Sequence, residues 1–148
     1  MTNSIIESVS TSLRAEFGDS FTIYTESLEQ GFERPCFFVR CVGATHQLKR
    51  GNQYFRENRF CIRYVPKSRE QANRECNAAA ERLSCCLEQV IVSGDAMRGT
   101  KMKWEMADGM MDFYVNYDLF VYGSELLVKW VLSKTSGRKA GVQVVLII

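Results

Sequence analysis

The sequence predicts an α+β fold, a mostly antiparallel sheet with a long hairpin and two main helices packed on one face. Three observations predict it. Residues 101–123 alternate in polarity on both sides of Asp108-Gly109, a dipeptide suited to a two-residue hairpin turn because both central positions take positive φ. Two segments, 4–17 and the stretch after Pro66, carry apolar side chains at helical spacing. Runs rich in β-branched and aromatic residues fill 21–25, 36–42 and 54–65. With 148 residues, 46% of them hydrophobic, the chain is long enough for one domain with a full core.

The first helix is expected over 4–17. Ser4 and Glu7 have the spacing of a capping box, Ile5, Ile6, Val9, Leu13 and Phe17 form one face, and Gly18 stops it. FTIYT (21–25) suits a short strand, and the polar segment 26–35 is a connection broken by Gly31 and Pro35. CFFVRCV (36–42) reads as a strand covered on both faces, and HQLKRGNQ (46–53) as a loop or hairpin tip. In the strand 54–65, Phe60, Ile62 and Tyr64 share a face while Phe55 has the other parity. A bulge near Arg56–Arg59 would reconcile the two.

Pro66 ends that strand, and Ser68 with Gln71 offers a second capping box. The helix that follows is expected to run to about Val90, burying Ala72, Cys76, Ala79, Leu83, Cys86, Leu87 and Val90. Ser93-Gly94-Asp95 turns the chain, and a short strand at 96–98 leads into the hairpin. A two-residue loop at Asp108-Gly109 pairs Ala107 with Met110. Met106 then faces Met111, Trp104 faces Phe113, and Met102 faces Val115. The stripe Phe113, Val115, Tyr117, Leu119, Val121 shares the face of Met102, Trp104 and Met106. Beyond it, LLVKWVL (126–132) fits a helix or a strand, TSGRKAG (135–141) a connector, and VQVVLII (142–148) a strand that must be covered by a sheet edge or a neighbour.

Bulk properties narrow the classes. No run of 18 apolar residues is present, so no membrane span is expected. The N-terminus lacks the charged and apolar regions of a secretory signal. The six cysteines form no C-x-x-C pair and His46 is the only histidine, so the cysteines read as small buried hydrophobes in a reducing compartment, with no metal site. No phosphate-cradling loop, G-x-S-x-G or H-E-x-x-H occurs. His46 lies in a polar connection and reads as solvated. Glu105 and Asp112 fall opposite each other, a pair able to shift a pKa on what reads as a solvated face. No enzyme activity and no cofactor is expected.

The net charge of +2 is banded. Residues 1–33 hold six acids against Arg14, residues 34–74 hold ten basic residues against Glu57 and Glu70, and residues 75–123 hold eight acids against four basic residues. Arg56, Arg59 and Arg63 punctuate a strand bearing Tyr54, Phe55, Phe60 and Tyr64. Basic residues among aromatics fit single-stranded nucleic acid. They fit equally a basic patch that meets an acidic patch on another subunit. Tyr114, Phe120 and Tyr122, beside Asn116 and Asp118, mark either a protein interface or a face under a second layer.

Several phrases give the chain a family likeness: EFG (16–18), IYTESLEQGFERPCFFV (23–39), YFRENRFCIRYVP (54–66), ECNAAAERL (75–83) and RGTKMKWEMADGMMDFYVNYDLFVY (98–122). Over residues 3–122 the sequence resembles the tail terminator proteins of tailed phages and prophages, in the branch from Gram-positive hosts. The resemblance implies a virion structural protein assembled in the bacterial cytoplasm. It would form a ring, usually a hexamer, that caps the tail tube, ends its polymerisation and offers the surface for head joining. Its partners would be itself, the tail tube protein and the neck or head–tail connector proteins, with DNA passing through the lumen without sequence recognition. Residues 1–123 are then the terminator-like domain and 124–148 a C-terminal extension, an added strand in one reading. Arg56, Arg59, Arg63, Tyr114, Phe120 and Tyr122 are the candidate interface. The alternatives are another small neck or tail-completion protein, and a nucleic-acid-binding module built on the basic 34–74 segment.

Overall fold

The structure, a computed structural model, describes residues 1–26 and 30–123 and the backbone of 144–146. In chain order the elements are α1 (Thr2–Phe17), β1 (Thr22–Tyr24), β2 (Cys36–Arg50), β3 (Gln53–Val65), α2 (Ala72–Cys86), β4 (Gln89–Val92), β5 (Asp95–Ala107), β6 (Met110–Tyr117), β7 (Leu119–Tyr122) and β8 (Val144–Leu146). The strands form one sheet in the order β1-β2-β3-β6-β5-β4, with β7 beside β3 and β8 beside β7. Every ladder is antiparallel except that of β1 on β2. The fold class is α+β.

One face of the sheet holds the core. Phe37 and Val39 of β2, Phe60, Ile62 and Tyr64 of β3, Met111, Phe113, Val115 and Tyr117 of β6, and Leu119 and Val121 of β7 are buried there. They pack in a single cluster with Ile5, Val9, Leu13 and Phe17 of α1 and Cys76, Ala79, Ala80 and Leu83 of α2. The small residues of α2 bring its backbone close to the sheet. Gly99 does the same at the far end, where a Cβ would collide with the Leu87 carbonyl oxygen. That carbonyl accepts the Tyr117 hydroxyl at 2.7 Å.

The structure corrects several boundaries. The first helix begins at Thr2, so Ser4 lies inside it, buried, and no capping box forms. At the second helix Ser68 Oγ accepts the Gln71 N–H at 3.3 Å, but the returning acceptor is Glu75, whose carboxylate takes the N–H groups of Lys67 and Ser68. That helix ends at Cys86 instead of Val90. Residues 89–92 alternate exposed and buried and pair with β5 across Ser93-Gly94. Two buried valines in QVIV serve a strand as well as they continue a helical stripe, and the β-branched run decides for the strand. Of the two readings of 46–53, the structure shows the hairpin tip: β2 continues to Arg50, and the turn is confined to Gly51 and Asn52. A polar sequence is compatible with this because both faces of the distal β2 are open to solvent, while β3 pairs with the backbone of one edge and the other edge has no strand among the described residues. Arg40 and Val42 are exposed, so the proximal part of β2 is not covered on both faces either.

The bulge lies in β2, where Val42 is the extra residue between the Cys41–Phe60 and Gly43–Arg59 pairs. β3 itself runs without a shift. On its other side Arg59 pairs with Asn116 and Arg56 with Leu119, three residues apart on both strands, so no residue is gained or lost between β6 and β7. Only the ladder is interrupted, at Asp118. Asn58, fully buried, spans the interruption: its N–H donates to Asp118 Oδ1 (3.2 Å), its Nδ2 donates to the Tyr117 carbonyl (2.9 Å), and its Oδ1 accepts Arg56 Nε (3.1 Å).

Across Asp108-Gly109, both at positive φ, Ala107 pairs with Met110, Met106 with Met111, Glu105 with Asp112 and Trp104 with Phe113. The expected Met102–Val115 pair is displaced by an irregularity between Thr100 and Lys103, with Lys101 at φ 52°. Backbone of 144–146, inside the apolar C-terminal run, pairs with β7. The expectations for 126–132 and 135–141 lie outside the described residues.

Asn58→Ala leaves the Asp118 bond intact but strips partners from the Tyr117 carbonyl and Arg56. It should lower the unfolding free energy by about 1–3 kcal/mol, read from urea denaturation.

Candidate functional site

β3 assigns each predicted site residue to a face, because alternate side chains point oppositely. Phe60 and Ile62 face the core, so Arg59 and Arg63, with Tyr114, Phe120 and Tyr122 of the pairing strands, face outward. Arg56 has the parity of Asn58 and Phe60 and lies on the helix side. Its Nη2 donates to Thr2 Oγ1 at 3.0 Å, tying the start of α1 to the sheet. Burial holds its pKa below the ordinary value. The three arginines are therefore not one patch.

On the outer face Arg63 is paired with Asp112. Its Nε donates to Oδ1 at 2.7 Å and its Nη2 to Oδ2 at 3.0 Å, a bidentate geometry. Hydrogen bonds from Arg63 hold the Asp112 carboxyl below its usual range, against the desolvation that pushes it up. The dominant partner of Asp112 is thus Arg63, not the Glu105 opposite it. Asp112 is buried, not solvated. Asp118, also buried, is shifted upward chiefly by desolvation. Arg59 is exposed and lies 5.0 Å from the Tyr114 ring, with Lys103 at 5.3 Å. Phe120 packs on Phe55 at 5.3 Å, with Lys49 over Phe55 at 5.7 Å. Gln53 Nε2 donates to the Tyr122 hydroxyl at 3.3 Å. Tyr114, Phe120 and Tyr122 are half-buried.

The remaining titratable groups offer little chemistry. All six cysteines are free thiols. Cys36, Cys61 and Cys76 are buried, but Cys85 is exposed, contrary to its reading as a buried hydrophobe. Burial pushes the Cys36 thiol up to about 11 and the Cys86 thiol up to about 12, which disfavours the nucleophilic thiolate. His46 is exposed and stacked on Tyr54 at 4.5 Å. No group of three or more potential metal ligands occurs among the described residues.

A family model described as phage tail terminator protein matches residues 4–126. The chain belongs to the phage tail terminator family. No curated protein matches it. The family is one of virion tail structural proteins, and membership places this terminator protein in the phage tail, among other tail components. No helix among the described residues is long and apolar enough to cross a membrane. The match covers α1 from Ser4 onward, α2 and β1 to β7, and stops short of β8.

In the sequence Arg56 groups with Arg59 and Arg63 because their spacing leaves the phase of β3 open. The neighbouring Asn58, which takes part in the core-side network, carried the missing signal. The Arg63–Asp112 pair joins residues far apart in sequence and follows only once β3 and β6 are adjacent.

The pair also sets a pH dependence. Asp112 titrates below its unfolded value near 4, so its stabilisation is full above that pH and fades as pH falls through the folded value. Arg63→Gln should cost about 1–2 kcal/mol near neutrality, the part-exposed arginine limiting the effect. The gap to the wild type should close below about pH 4, as urea midpoints measured from pH 7 to 2 would show.

Proposed function

We propose that this terminator protein forms a closed ring, a hexamer, that caps the tail tube, stops its polymerisation and presents the surface on which head and neck components join. The host is a Gram-positive bacterium, and DNA passes through the lumen without sequence recognition. The family match carries the tail assignment. The outer face of β3, β6 and β7, which no helix covers among the described residues, supports the contact role. It combines Arg59, Tyr114, Phe120 and Tyr122, half-buried aromatics beside a cation, a composition found where proteins meet. Arg63 contributes as the fixed half of its ion pair, and Arg56 indirectly, by holding α1 against the sheet. Residues 124–148 act as an extension of the 1–123 domain that adds a strand beside β7. The protein does no chemistry. The nucleic-acid reading loses ground because Arg56 lies on the other face and Arg63 is neutralised by Asp112.

Deleting the gene should give tails of uncontrolled length that carry no heads in electron micrographs. Complementation with the Arg59→Glu variant should restore about tenfold fewer complete particles than the wild type, with an unchanged thermal melt. Tails of normal length joined to capsids in the deletion would overturn the reading.

A further inference from the structure

Two surface features far apart in sequence complement each other. The first is a cleft of about 510 Å³ bounded by the end of α1, by α2 and by the Pro35 and Tyr64 ends of β2 and β3, lined among others by Phe17, Phe21, Arg34, Tyr64, Lys67 and Arg82. Its volume is in the range of sites that accept a large side chain or a small ligand. The wall is aromatic, with Phe17 and Phe21 at 5.2 Å and Phe21 and Tyr64 at 6.2 Å. The rim is cationic. Arg82 is held by Glu16 at 3.0 Å, but Arg34 and Lys67 form no ion pair among the described residues. The one carboxylate in the lining, Glu75, is occupied by the N–H groups of Lys67 and Ser68.

The second feature is the β5–β6 tip. Trp104 is 43% exposed and Met106 40%, although both lie on the helix-side face, where Phe113 and Met111 opposite them are fully buried. Asp108 in the turn and Glu105 on the outer face of the same strand flank them, exposed and without an ion pair among the described residues. The tip is thus an apolar knob with an acidic margin, and the cleft an apolar hollow with a basic one.

Their placement suits a repeat. Tyr64 of the cleft pairs with Met111, next to Met110, which closes the turn with Ala107. Knob and cleft therefore sit at the same end of the strands, the cleft on the β1–β2–β3 side and the knob on β5 and β6. A contact joining different patches of identical subunits propagates head to tail, and it closes into a ring when the rotation closes.

We infer that the β5–β6 tip of each subunit, with Trp104, Met106, Glu105 and Asp108, docks into the Phe17–Phe21–Tyr64 cleft of a second copy of this chain, against Arg34 and Lys67. This rests on the ring reading above and names the contact that closes the ring. Apart from Glu105 at its margin, it leaves the outer face with Arg59, Tyr114, Phe120 and Tyr122 to the tube and the neck.

Mixed charge variants test it by native mass spectrometry. One variant carries Arg34→Glu and Lys67→Glu. The other carries Glu105→Lys and Asp108→Asn, because Asn-Gly preserves the turn. Each alone should lose closed rings by about tenfold or more, with a wild-type thermal melt, while an equal mixture restores them with even subunit numbers only. A third variant, Trp104→Ser with Met106→Ser, should remain folded and fail to close. Rings formed by each variant as readily as by the wild type would overturn the contact and leave the ring reading standing. A mixture that restores nothing would overturn it too. A wild-type chain that forms no ring, alone or on tail tubes, would overturn the ring and this contact together.

Discussion

The structure depends on β3 keeping one register against two successive partners. It pairs with β6 through Arg59–Tyr64 and with β7 through Gln53–Arg56. A slip of one residue on either side would turn buried Phe60, Ile62 and Tyr64 to the outer face. The ladder breaks where slippage would be easiest, and a buried amide fills the break. Asn58 bonds to the backbone on one side of Asp118 and to its carboxylate. Through Arg56 the same network reaches Thr2, so one cluster fixes sheet register and helix position together. Polar groups buried this way contribute specificity only when each is satisfied, and here every polar atom of the Asn58 side chain has a partner or faces one.

Much of the fold was legible because local chemistry and burial agree. Asp108-Gly109 dictates the pairing of Trp104 with Phe113, and the apolar stripe from Phe113 to Val121 is fully buried as its alternation requires. Legibility fails where one residue type serves two structures. Val90 suits the helical stripe and the strand β4 alike. Lys49 and Arg50 suit a loop and a solvent-exposed strand alike. The interruption at Asp118 left no mark on the alternation, because Tyr117 and Leu119 keep the same face on both sides of it. Of the candidate site, the aromatics were placed correctly on the second face of the hairpin strand. The arginines were not resolved, since parity along β3 depends on which neighbour is buried.

Charge banding in the sequence proves a poor guide to charge on the surface. The basic band contributes Arg63 to an ion pair, Arg56 to an internal network, Arg59 to an aromatic contact, and Arg34 and Lys67 to a cleft. Its excess is distributed over both faces and one end of the sheet. What remains are small cations set beside aromatic rings, where shape and burial select the partner and charge sets orientation.

The strand at 144–146 lies outside the residues that the family match covers. The family match ends at 126, yet these residues pair with β7, whose other edge is held by β3. A four-residue strand left at an edge would present unpaired backbone beside the exposed half of β2 and β3, an invitation to uncontrolled pairing with other copies. With β8 beside β7, the open edges among the described residues are β1, the distal β2, β4, the outer side of β5 beyond Gly99, and β8 itself. In the ring proposed above, β8 replaces the four-residue edge of β7 with a three-residue one, and a shorter edge offers a stray copy less backbone to pair with.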